Sequence, residues 1–291
     1  MRHILITGCG DIGKRVARLW GEHGKNVYAL IRDPHQTRHL RDMRINPVMG
    51  DLDNPDTLVN LPVQDALIYY FAPPAAAGDD DPRMHNFINC LTDHNHPAKI
   101  IYISTTGVYG DCHGAWVTED SPVNPQTPRS IRRLAAERLL KEWHDATAIP
   151  VVILRVAGIY GPGRLPIERI KSGQPVLHEK EAPYSNRIHA DDLAFICLST
   201  GEHPSAGYRV YNISDGHPTT MTDYFMRVAT KAGLPLPRIV SINEARRELD
   251  PLMLSFLDES KRVDNRRMLQ ELGVKLRYPD LATGLDHCQV D

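Results

Sequence analysis

Three glycines near the start of the chain have the spacing of a phosphate-binding loop. Gly8, Gly10 and Gly13 form a G-x-G-x-x-G pattern that follows an apolar run and opens a helical pattern. The first glycine permits a tight turn, the second lets the backbone approach a pyrophosphate, and the third allows close packing of helix on strand. The helix N-terminus adds amides and a favourable dipole. A tight turn without a ligand is the alternative, but the context fits a dinucleotide site that also includes Asp11 and Ile12.

The residues after the second apolar run bear on the choice of dinucleotide. An acidic residue there would hold a ribose 2′-hydroxyl, whereas an arginine accommodates a 2′-phosphate. The chain offers both, as Arg32 and Asp33, and Arg38 lies one or two turns further on. Arg32 is the better aligned, so the sequence favours NADP(H) over NAD(H). Either arginine could instead be an ordinary surface charge, which is the default for Arg38.

Short apolar runs alternate with helical patterns through the first half of the chain. The runs cover residues 4–6, 27–31, 66–72, 100–103 and 151–156, and the helical patterns cover residues 12–23, 83–94 and 130–146. Apolar runs without polar alternation, separated by helices, indicate parallel strands covered on both faces. We therefore predict an α/β fold with a Rossmann-type doubly wound parallel sheet.

The texture of the sequence changes after residue 160, where proline and glycine become frequent. A helical pattern at 190–200 and a strand pattern at 209–213 are expected to return to the main sheet. We predict a dinucleotide-binding domain formed by residues 1–160 plus 189–215. Residues 161–188 plus 216–291 would form a smaller C-terminal substrate lobe.

Composition excludes several classes of protein. The 291 residues carry a net charge of −2, which lacks the positive excess expected of a nucleic-acid partner. Five scattered cysteines without a C-x-x-C pair indicate a reducing compartment, and no apolar run has membrane-spanning length. His35 and His39 have helical spacing but no evident third ligand, so no metal site is expected. We expect a soluble cytoplasmic protein.

Further segments become recognisable together with the glycine loop. They read GDL at 50–52, STTGVYG at 104–110, LRVAGIYGPG at 154–163, NRIHADDLA at 186–194 and VYNIS at 210–214. In this order the set resembles the extended short-chain dehydrogenase/reductases, the NAD-dependent epimerase/dehydratase family. The resemblance covers essentially the whole chain.

The resemblance implies further residues around the cofactor. Asp51 and Leu52 match the residues that flank the adenine in the family. Phe71, Ala72 and Pro73 occupy the strand end that borders the ribose and the nicotinamide side.

It also implies residues on the substrate side. Thr105 matches the catalytic Ser/Thr, whose hydroxyl bonds a substrate oxygen. Tyr160 opens the loop beside the nicotinamide, and Arg187 resembles an arginine that helps to anchor an anionic substrate group. We assign Tyr109, Tyr160 and Arg187 to binding of a small-molecule substrate.

The chain departs from the family at its central catalytic motif, Tyr-x-x-x-Lys on the long helix. In the family the tyrosine transfers the proton, and the lysine lowers the tyrosine pKa and binds the ribose. Alignment of that helix places Arg129 at the tyrosine position and Arg133 at the lysine position. Arg129 cannot exchange a proton at neutral pH, whereas Arg133 could keep the ribose contact. The chain resembles an atypical subgroup that lacks the pair.

Four other groups could carry the proton. Tyr109 follows the Thr105 segment, although the family's tyrosine there commonly packs at a strand end. His189 has a suitable ordinary pKa, although it could simply orient the helix that follows. Glu119 and Asp120 could supply a carboxylate.

Two functional hypotheses follow. The first is an oxidoreductase or isomerase that acts on a hydroxyl or carbonyl group of a nucleotide-sugar-like or otherwise anionic substrate, by cofactor hydride transfer with a non-standard proton donor. The second is a catalytically inactive NADP(H)-binding sensor or regulatory protein, because the phosphate loop is intact while the proton-transfer pair is absent. The persistence of the substrate-side segments favours the enzyme over the sensor. Family members often dimerise through a contact that includes the long helix, so a homodimer is a further hypothesis.

Overall fold

The apolar runs of the sequence form the strands of a central sheet in the computed structural model, which describes residues 2–91, 95–204, 207–249, 254 and 257–288. The strands are β1 Ile4–Thr7, β2 Val27–Ile31, β3 Asn46–Met49, β4 Leu67–Tyr70, β5 Lys99–Thr105, β6 Trp116–Val117, β7 Val151–Val156, β8 Gly158–Tyr160, β9 Val176–Leu177, β10 Tyr184–Ser185, β11 Arg187–His189, β12 Tyr208–Ile213, β13 Thr219–Thr220, β14 Ile239–Val240 and β15 Arg262–Val263. The helices are α1 Asp11–Glu22, α2 Gln36–Asp42, α3 Pro82–Asn89, α4 Pro128–Thr147, α5 Ile167–Lys171, α6 Ala190–Glu202, α7 Met221–Lys231, α8 Ile242–Glu248, α9 Arg266–Leu272 and α10 Leu281–Asp286.

Seven strands pair in the order β12-β7-β5-β4-β1-β2-β3. The pairings of β1 with β2 and β4, of β2 with β3, and of β4 with β5 are parallel. The order reverses at β1, because the chain proceeds outward through β2 and β3 and then returns to the other side of β1 as β4. Ligands of doubly wound sheets bind beyond the strand ends at such a reversal. The predicted Rossmann-type fold is confirmed.

Adjacent tyrosines of β4 show how both faces of the sheet are covered. Tyr70 packs its ring against Phe87 of α3, with ring centroids 5.0 Å apart. Tyr69 points to the opposite face, where its hydroxyl receives a hydrogen bond from Trp20 of α1 and donates one to the Cys197 carbonyl of α6. The side chains alternate because successive residues of a strand face opposite sides.

The predicted helices occur at their expected places, with differences at the ends. The pattern at 130–146 is α4, and the pattern at 12–23 is α1. The pattern at 83–94 is α3, which begins at Pro82, is capped by the Asp81 carboxylate and ends at Asn89. Residues 92–94 of that prediction lie outside the described residues. Proline at the first helical position after an aspartate cap is a strong start signal.

The chain divides into two compact units. The first contains Met1–Val108, Pro128–Arg155 and Leu193–Tyr211, and the second contains Tyr109–Thr127, Val156–Asp192 and Asn212–Asp291. The first unit has a core between the sheet and helices α3 and α4, which includes Ile68, Phe87, Ile100, Leu140 and Trp143. The second has its own core around α7, which includes Tyr160, Phe225, Val228, Leu281 and Leu285. The two compact units do not show which residues bind the dinucleotide and which bind the substrate. The division into a dinucleotide-binding domain and a substrate lobe therefore stays a prediction.

Candidate functional site

The glycine loop lies directly after β1, and its three glycines meet three different surroundings. Gly8 has a φ of +82°, and a Cβ there would lie 2.7 Å from the Phe71 carbonyl carbon. A Cβ on Gly13 would lie 3.1 Å from the Gly8 oxygen and 3.3 Å from Ile6, which is the tight packing of α1 on β1. A Cβ on Gly10 would meet no described atom within 4 Å. Gly10 is therefore the position where a ligand can approach the backbone.

The first turn of α1 continues this surface. Gly10 is the N-cap residue and supplies no side-chain cap, so the first amides of the helix, which include those of Asp11 and Ile12, can face an anion. Asp11 accepts a hydrogen bond from Arg15 Nε at 3.0 Å. Burial raises the pKa of the Cys9 thiol to about 11, with Lys14 opposing the shift. Cys9 is therefore a neutral packing residue of the turn and not a thiolate.

Arg32 follows β2 and is exposed. The neighbouring Asp33 turns one carboxylate oxygen back to the His35 amide, at 2.9 Å. The Arg32 guanidinium contributes to the lowered pKa of Asp53, whose first cause is its hydrogen bond with Arg83. Arg32 is thus accessible on the same side of the unit as the segment that follows β3.

The segment predicted to flank the adenine is held by residues that sequence reasoning missed. Arg83 at the start of α3 forms a bidentate ion pair with Asp53, with Nε–Oδ1 at 2.7 Å and Nη2–Oδ2 at 2.6 Å. The same guanidinium donates to the Pro73 carbonyl at 3.1 Å. The Asn86 amide donates to the Leu52 carbonyl at 2.8 Å. No motif marks these two α3 residues; only the helix start at Pro82 could have drawn attention to them.

The predicted nicotinamide-side segment continues β4. The Phe71 amide donates to the Thr7 carbonyl at 2.8 Å, so the end of β4 stays beside the end of β1. Ala72 is buried, while Phe71 is half-buried and Pro73 exposed. Because Gly8 packs on Phe71 and Arg83 bonds Pro73, the structure brings together the glycine loop, the Asp51–Asp53 segment and residues 71–73.

Thr105 is the last residue of β5, and hydrogen bonds of Thr105 itself and of the preceding residue fix this strand end. Its Oγ1 accepts a hydrogen bond from the Gly107 amide at 3.1 Å. The preceding Ser104 donates to the buried Glu137 of α4, which forms an ion pair with Arg155 of β7 at 2.8 Å. Arg155 and Glu137 form a buried ion pair inside the core, so removal of one partner alone would leave the other charge buried and unpaired. This network joins β5, α4 and β7 at the residue that precedes Thr105.

Arg129 and Arg133 lie one turn apart at the start of α4. Arg133 is buried, and its Nη1 donates to the Ile103 carbonyl at 2.8 Å, the Tyr102 hydroxyl at 3.2 Å and the Ala72 carbonyl at 3.4 Å. These acceptors belong to the ends of β4 and β5, so the structure places Arg133 beside residues 71–73 and Thr105. Arg129 is exposed to solvent as a whole residue. Partial desolvation of its guanidinium is the first cause that lowers its pKa, and the charge of Arg133 is the second.

In the second unit, Tyr109 and Tyr160 are both buried. The Tyr109 hydroxyl donates to the Asn212 Oδ1 at 2.7 Å. The Tyr160 hydroxyl donates to the Asp280 carbonyl at 3.2 Å, and burial raises its pKa far above the ordinary value. Both hydroxyls are therefore used in internal packing, and substrate binding by these tyrosines stays a prediction.

Arg187 has an unusual environment for a charged group. Its residue is 9% exposed, its guanidinium carbon lies 4.0 Å from the Tyr224 ring centroid, and Nη2 donates to the Met221 sulfur at 3.2 Å. Burial lowers the pKa of Arg187. Within the described part of the chain, no carboxylate oxygen lies within ion-pair distance, and Nε is buried without a hydrogen-bond partner.

Asp215 is a buried acidic residue of this unit that sequence reasoning missed. Its Oδ1 accepts from the His217 amide at 2.9 Å, whereas Oδ2 is buried and has no partner among the described residues. Burial raises the pKa of Asp215 to about 7, against the lowering effect of His217 and Arg187. An acidic residue in a Ser-Asp-Gly turn directly after a predicted strand was the available sequence signal.

The remaining proton-transfer candidates all have structural partners. His189 is buried, accepts from the Asp191 amide at 3.2 Å and packs on Tyr278 with ring centroids 3.9 Å apart. Glu119 accepts from the Asn212 amide at 2.8 Å, and both Glu119 and Asp120 pair with Arg267. Their use in proton transfer stays a prediction.

The described residues contain no group of three or more His, Cys, Asp or Glu side chains that could hold a metal ion. Among those same residues, no helix is long and apolar enough to cross a membrane.

Known proteins are similar to this chain in sequence and in fold. The family model for the NAD dependent epimerase/dehydratase family matches residues 4–214. Protein YeeZ of Escherichia coli (strain K12) is 31% identical over 294 residues, which cover 96% of this chain and 97% of YeeZ. A dTDP-glucose 4,6-dehydratase of Mycolicibacterium smegmatis is 25% identical over 242 residues, which cover 74% of this chain and 70% of that protein.

A solved structure of a functionally unknown conserved protein from Silicibacter pomeroyi DSS superposes with a TM-score of 0.81. The two sequences are 31% identical, and the superposition covers 98% of this chain and 97% of the Silicibacter pomeroyi chain. The similarities to YeeZ and to the Silicibacter pomeroyi protein extend over nearly the whole chain, and the family model spans the motifs from the glycine loop to residue 214. The chain belongs to the NAD-dependent epimerase/dehydratase family.

Proposed function

We propose that this chain is an NAD(P)-dependent oxidoreductase or isomerase that acts on a hydroxyl or carbonyl group of an anionic small molecule of the nucleotide-sugar class. The observation that carries the proposal is the glycine loop. Gly8 and Gly13 are filled by the protein itself, whereas the space next to Gly10 is open at the N-terminus of α1. This is the division of roles that a bound pyrophosphate requires.

The residues around the loop fit a nicotinamide dinucleotide. Asp51 and Leu52 lie in the segment held by Arg83 and Asn86, and Arg133 directs one guanidinium edge away from its three carbonyl and hydroxyl acceptors. We propose that the Asp51–Leu52 segment flanks the adenine and that Arg133 holds the ribose hydroxyls. When bound, the cofactor would supply or accept a hydride. Thr105 would donate a hydrogen bond to the substrate oxygen, and a group other than Arg129 would carry the proton.

Two observations support an anionic substrate. A buried guanidinium is costly unless it is paired, and Arg187 has a sulfur atom and an aromatic face in place of a described carboxylate. The relative from Mycolicibacterium smegmatis carries the name of an enzyme of dTDP-glucose. We propose that Arg187 anchors an anionic group of a related substrate.

We further propose that the chain binds NADP(H) in preference to NAD(H), because Arg32 is exposed while the Asp33 carboxylate accepts a hydrogen bond from the His35 amide of its own turn. A homodimer remains a proposal, to be tested by light scattering.

A thermal-shift panel with NAD⁺, NADH, NADP⁺ and NADPH tests the proposal on the wild type and on Gly10→Val. A ligand at 100 times its Kd stabilises a protein by about 2.7 kcal/mol, which raises Tm by a few degrees. The variant should fold, since no described atom lies near the added side chain, but should lose the shift because the pyrophosphate is blocked. Gly21→Ala is the matched control, because a Cβ there also meets open space but lies away from the loop. A flat wild-type response to all four nucleotides would contradict the proposal.

A further inference from the structure

Two positive charges lie together at the start of α4. Arg129 and Arg133 are four residues apart on one face of the helix, and the charge of Arg133 contributes to the lowered pKa of Arg129. Like charges at this spacing destabilise a helix. An arginine cannot relieve the repulsion by losing its proton. The arrangement therefore calls for a negative charge from elsewhere.

The described parts of the chain do not supply that charge as an ion pair. Arg83 and Arg155 pair with Asp53 and Glu137 at 2.6 and 2.8 Å, but neither Arg129 nor Arg133 has a described carboxylate oxygen within 4.0 Å. Burial raises the pKa of Asp81, and the charge of Arg133 opposes the shift. The Asp81 Oδ1 caps α3 through the amides of Arg83 and Met84, and Oδ2 is buried without a hydrogen-bond partner among the described residues, so Asp81 forms no ion pair with Arg133.

Arg133 is held in a way that leaves one edge of its guanidinium unused. A single nitrogen, Nη1, serves the Ala72 carbonyl, the Tyr102 hydroxyl and the Ile103 carbonyl. For Nε and Nη2 the described residues provide no hydrogen-bond acceptor. An arginine fixed at one end presents its other donors in a defined direction, which suits the planar, bidentate recognition of carboxylate or phosphate.

The pair also lies next to the predicted substrate hydroxyl. A Cβ added to Gly107 would lie 2.5 Å from the Ser130 hydroxyl oxygen, one residue after Arg129, and 3.4 Å from Thr105 Oγ1. The start of α4 is therefore packed against Thr105. Both guanidiniums and the threonine hydroxyl belong to the first unit.

We propose that Arg129 and the unbonded edge of Arg133 together bind one oxyanion, a carboxylate or a phosphate group, of the ligand that this unit takes up. The Nε and Nη2 donors of that edge, three N–H groups in all, are enough for this oxyanion and for the ribose contact. The proposal rests on the proposed function. Where other members of the family exchange a proton, this chain would hold a negative charge. The oxyanion could come from the substrate, as an acidic group near the hydroxyl or carbonyl that Thr105 binds, or from a phosphate of the dinucleotide.

Isothermal titration of the full chain with oxalate and with inorganic phosphate, with and without saturating dinucleotide, tests the proposal. Arg129→Gln removes one guanidinium at an exposed position, and Arg138→Gln is the matched control on an exposed site of the same helix. We expect Arg129→Gln to weaken anion binding by about tenfold or more, since the loss of a charge-assisted hydrogen bond has that effect on Kd. Arg138→Gln should leave it unchanged.

The arms of the experiment separate the two sources. If the oxyanion belongs to the substrate, oxalate binds in the presence of dinucleotide and Arg129→Gln leaves the dinucleotide Kd unchanged. If it belongs to the dinucleotide, oxalate and dinucleotide compete and the variant weakens both. Equal binding of every ligand by wild type and Arg129→Gln, or no anion binding by the wild type in either state together with an unchanged dinucleotide Kd in the variant, would overturn the inference. Anion binding through Arg129 without any dinucleotide binding would instead contradict the proposed function alone.

Discussion

The Tyr102 hydroxyl accepts a hydrogen bond from Arg133 Nη1 at 3.2 Å, and the guanidinium carbon lies 5.4 Å from the centroid of the same ring. Burial raises the pKa of Tyr102 to about 12, so the hydroxyl stays neutral while the charge of Arg133 opposes the shift. A neutral buried hydroxyl that accepts from a fixed cation is a support for that cation. Tyr102 therefore positions Arg133 at the ends of β4 and β5.

Tyr102→Phe should weaken dinucleotide binding while the chain remains folded. Loss of a hydrogen bond to a charged donor corresponds to about tenfold in Kd if Arg133 binds the ribose as proposed. Fluorescence titration with the preferred nucleotide measures the change, and urea unfolding reports the stability.

Tyr70→Phe is the matched control for this prediction. Tyr70 lies on the adjacent strand, with its ring centroid 5.8 Å from that of Tyr102, and its buried hydroxyl has no hydrogen-bond partner among the described residues. Its removal should leave dinucleotide binding unchanged and cost no stability. Equal effects of the two variants on Kd would show that Tyr102 does not act through Arg133.

Replacement of Arg32 by serine should change the cofactor preference. If the guanidinium binds a 2′-phosphate, Arg32→Ser raises the Kd of NADPH by about tenfold or more and leaves that of NADH nearly unchanged, because only NADPH loses a charge-assisted contact. Arg38→Ser is the control, since Arg38 is also exposed but lies in α2, further along the chain from the end of β2. Equal Kd values for NADPH in wild type and Arg32→Ser would remove the basis for preferring NADP(H).

Local sequence signals predicted the elements around the proposed cofactor site but not the residues that fix these elements in place. The glycine spacing and the apolar run before it are local, and the structure places Gly8 and Gly13 in close packing and Gly10 next to open space. Binding of a pyrophosphate by these glycines stays a prediction. Arg83 was missed because its partner Asp53 is 30 residues away and no periodicity connects them.

The same limit applies to the buried charges. Glu137 looks like a polar residue of an amphipathic helix, and only the sheet brings Arg155 and Ser104 to it. The sequence also offers no sign that the hydroxyl of Tyr109 is bonded to Asn212, because that contact joins residues 103 positions apart. Tertiary pairing, not local propensity, decides which polar groups are available for chemistry.

Stability of the second unit should depend on pH through Asp215. This residue is 4% exposed, and burial raises its folded-state pKa to about 7, with Asp280 adding to the shift and His217 and Arg187 opposing it. In the unfolded chain an aspartate has a pKa of about 4. Between these values the folded state keeps a proton that the unfolded state has lost. The free energy of unfolding therefore falls as pH rises from about 4 to about 7 and levels off above that.

Asp215→Asn should remove this dependence, because asparagine resembles the protonated carboxyl at every pH. Urea unfolding at several values between about pH 5 and pH 8 should show a variant that gains stability relative to wild type as pH rises, by at most about 4 kcal/mol. Asp56→Asn, at an exposed position of the first unit, is the control for the loss of one negative charge. Parallel pH curves for wild type and Asp215→Asn would contradict the prediction.

Thr105 distinguishes an enzyme from a protein that only binds the dinucleotide. Its Oγ1 accepts from the Gly107 amide at 3.1 Å, and this fixes the oxygen while the hydroxyl proton can be donated to a substrate oxygen. With a substrate found in a panel of nucleotide sugars, Thr105→Ala should lower kcat/KM by about a hundredfold, the scale of one lost transition-state donor. Thr105→Ser should keep most of the activity because it retains the hydroxyl. Nicotinamide absorbance measures turnover, and the Kd of the dinucleotide should be the same in all three proteins. Unchanged turnover in Thr105→Ala would exclude the proposed role, and a wild type that binds dinucleotide but turns over no member of the panel would favour a sensor.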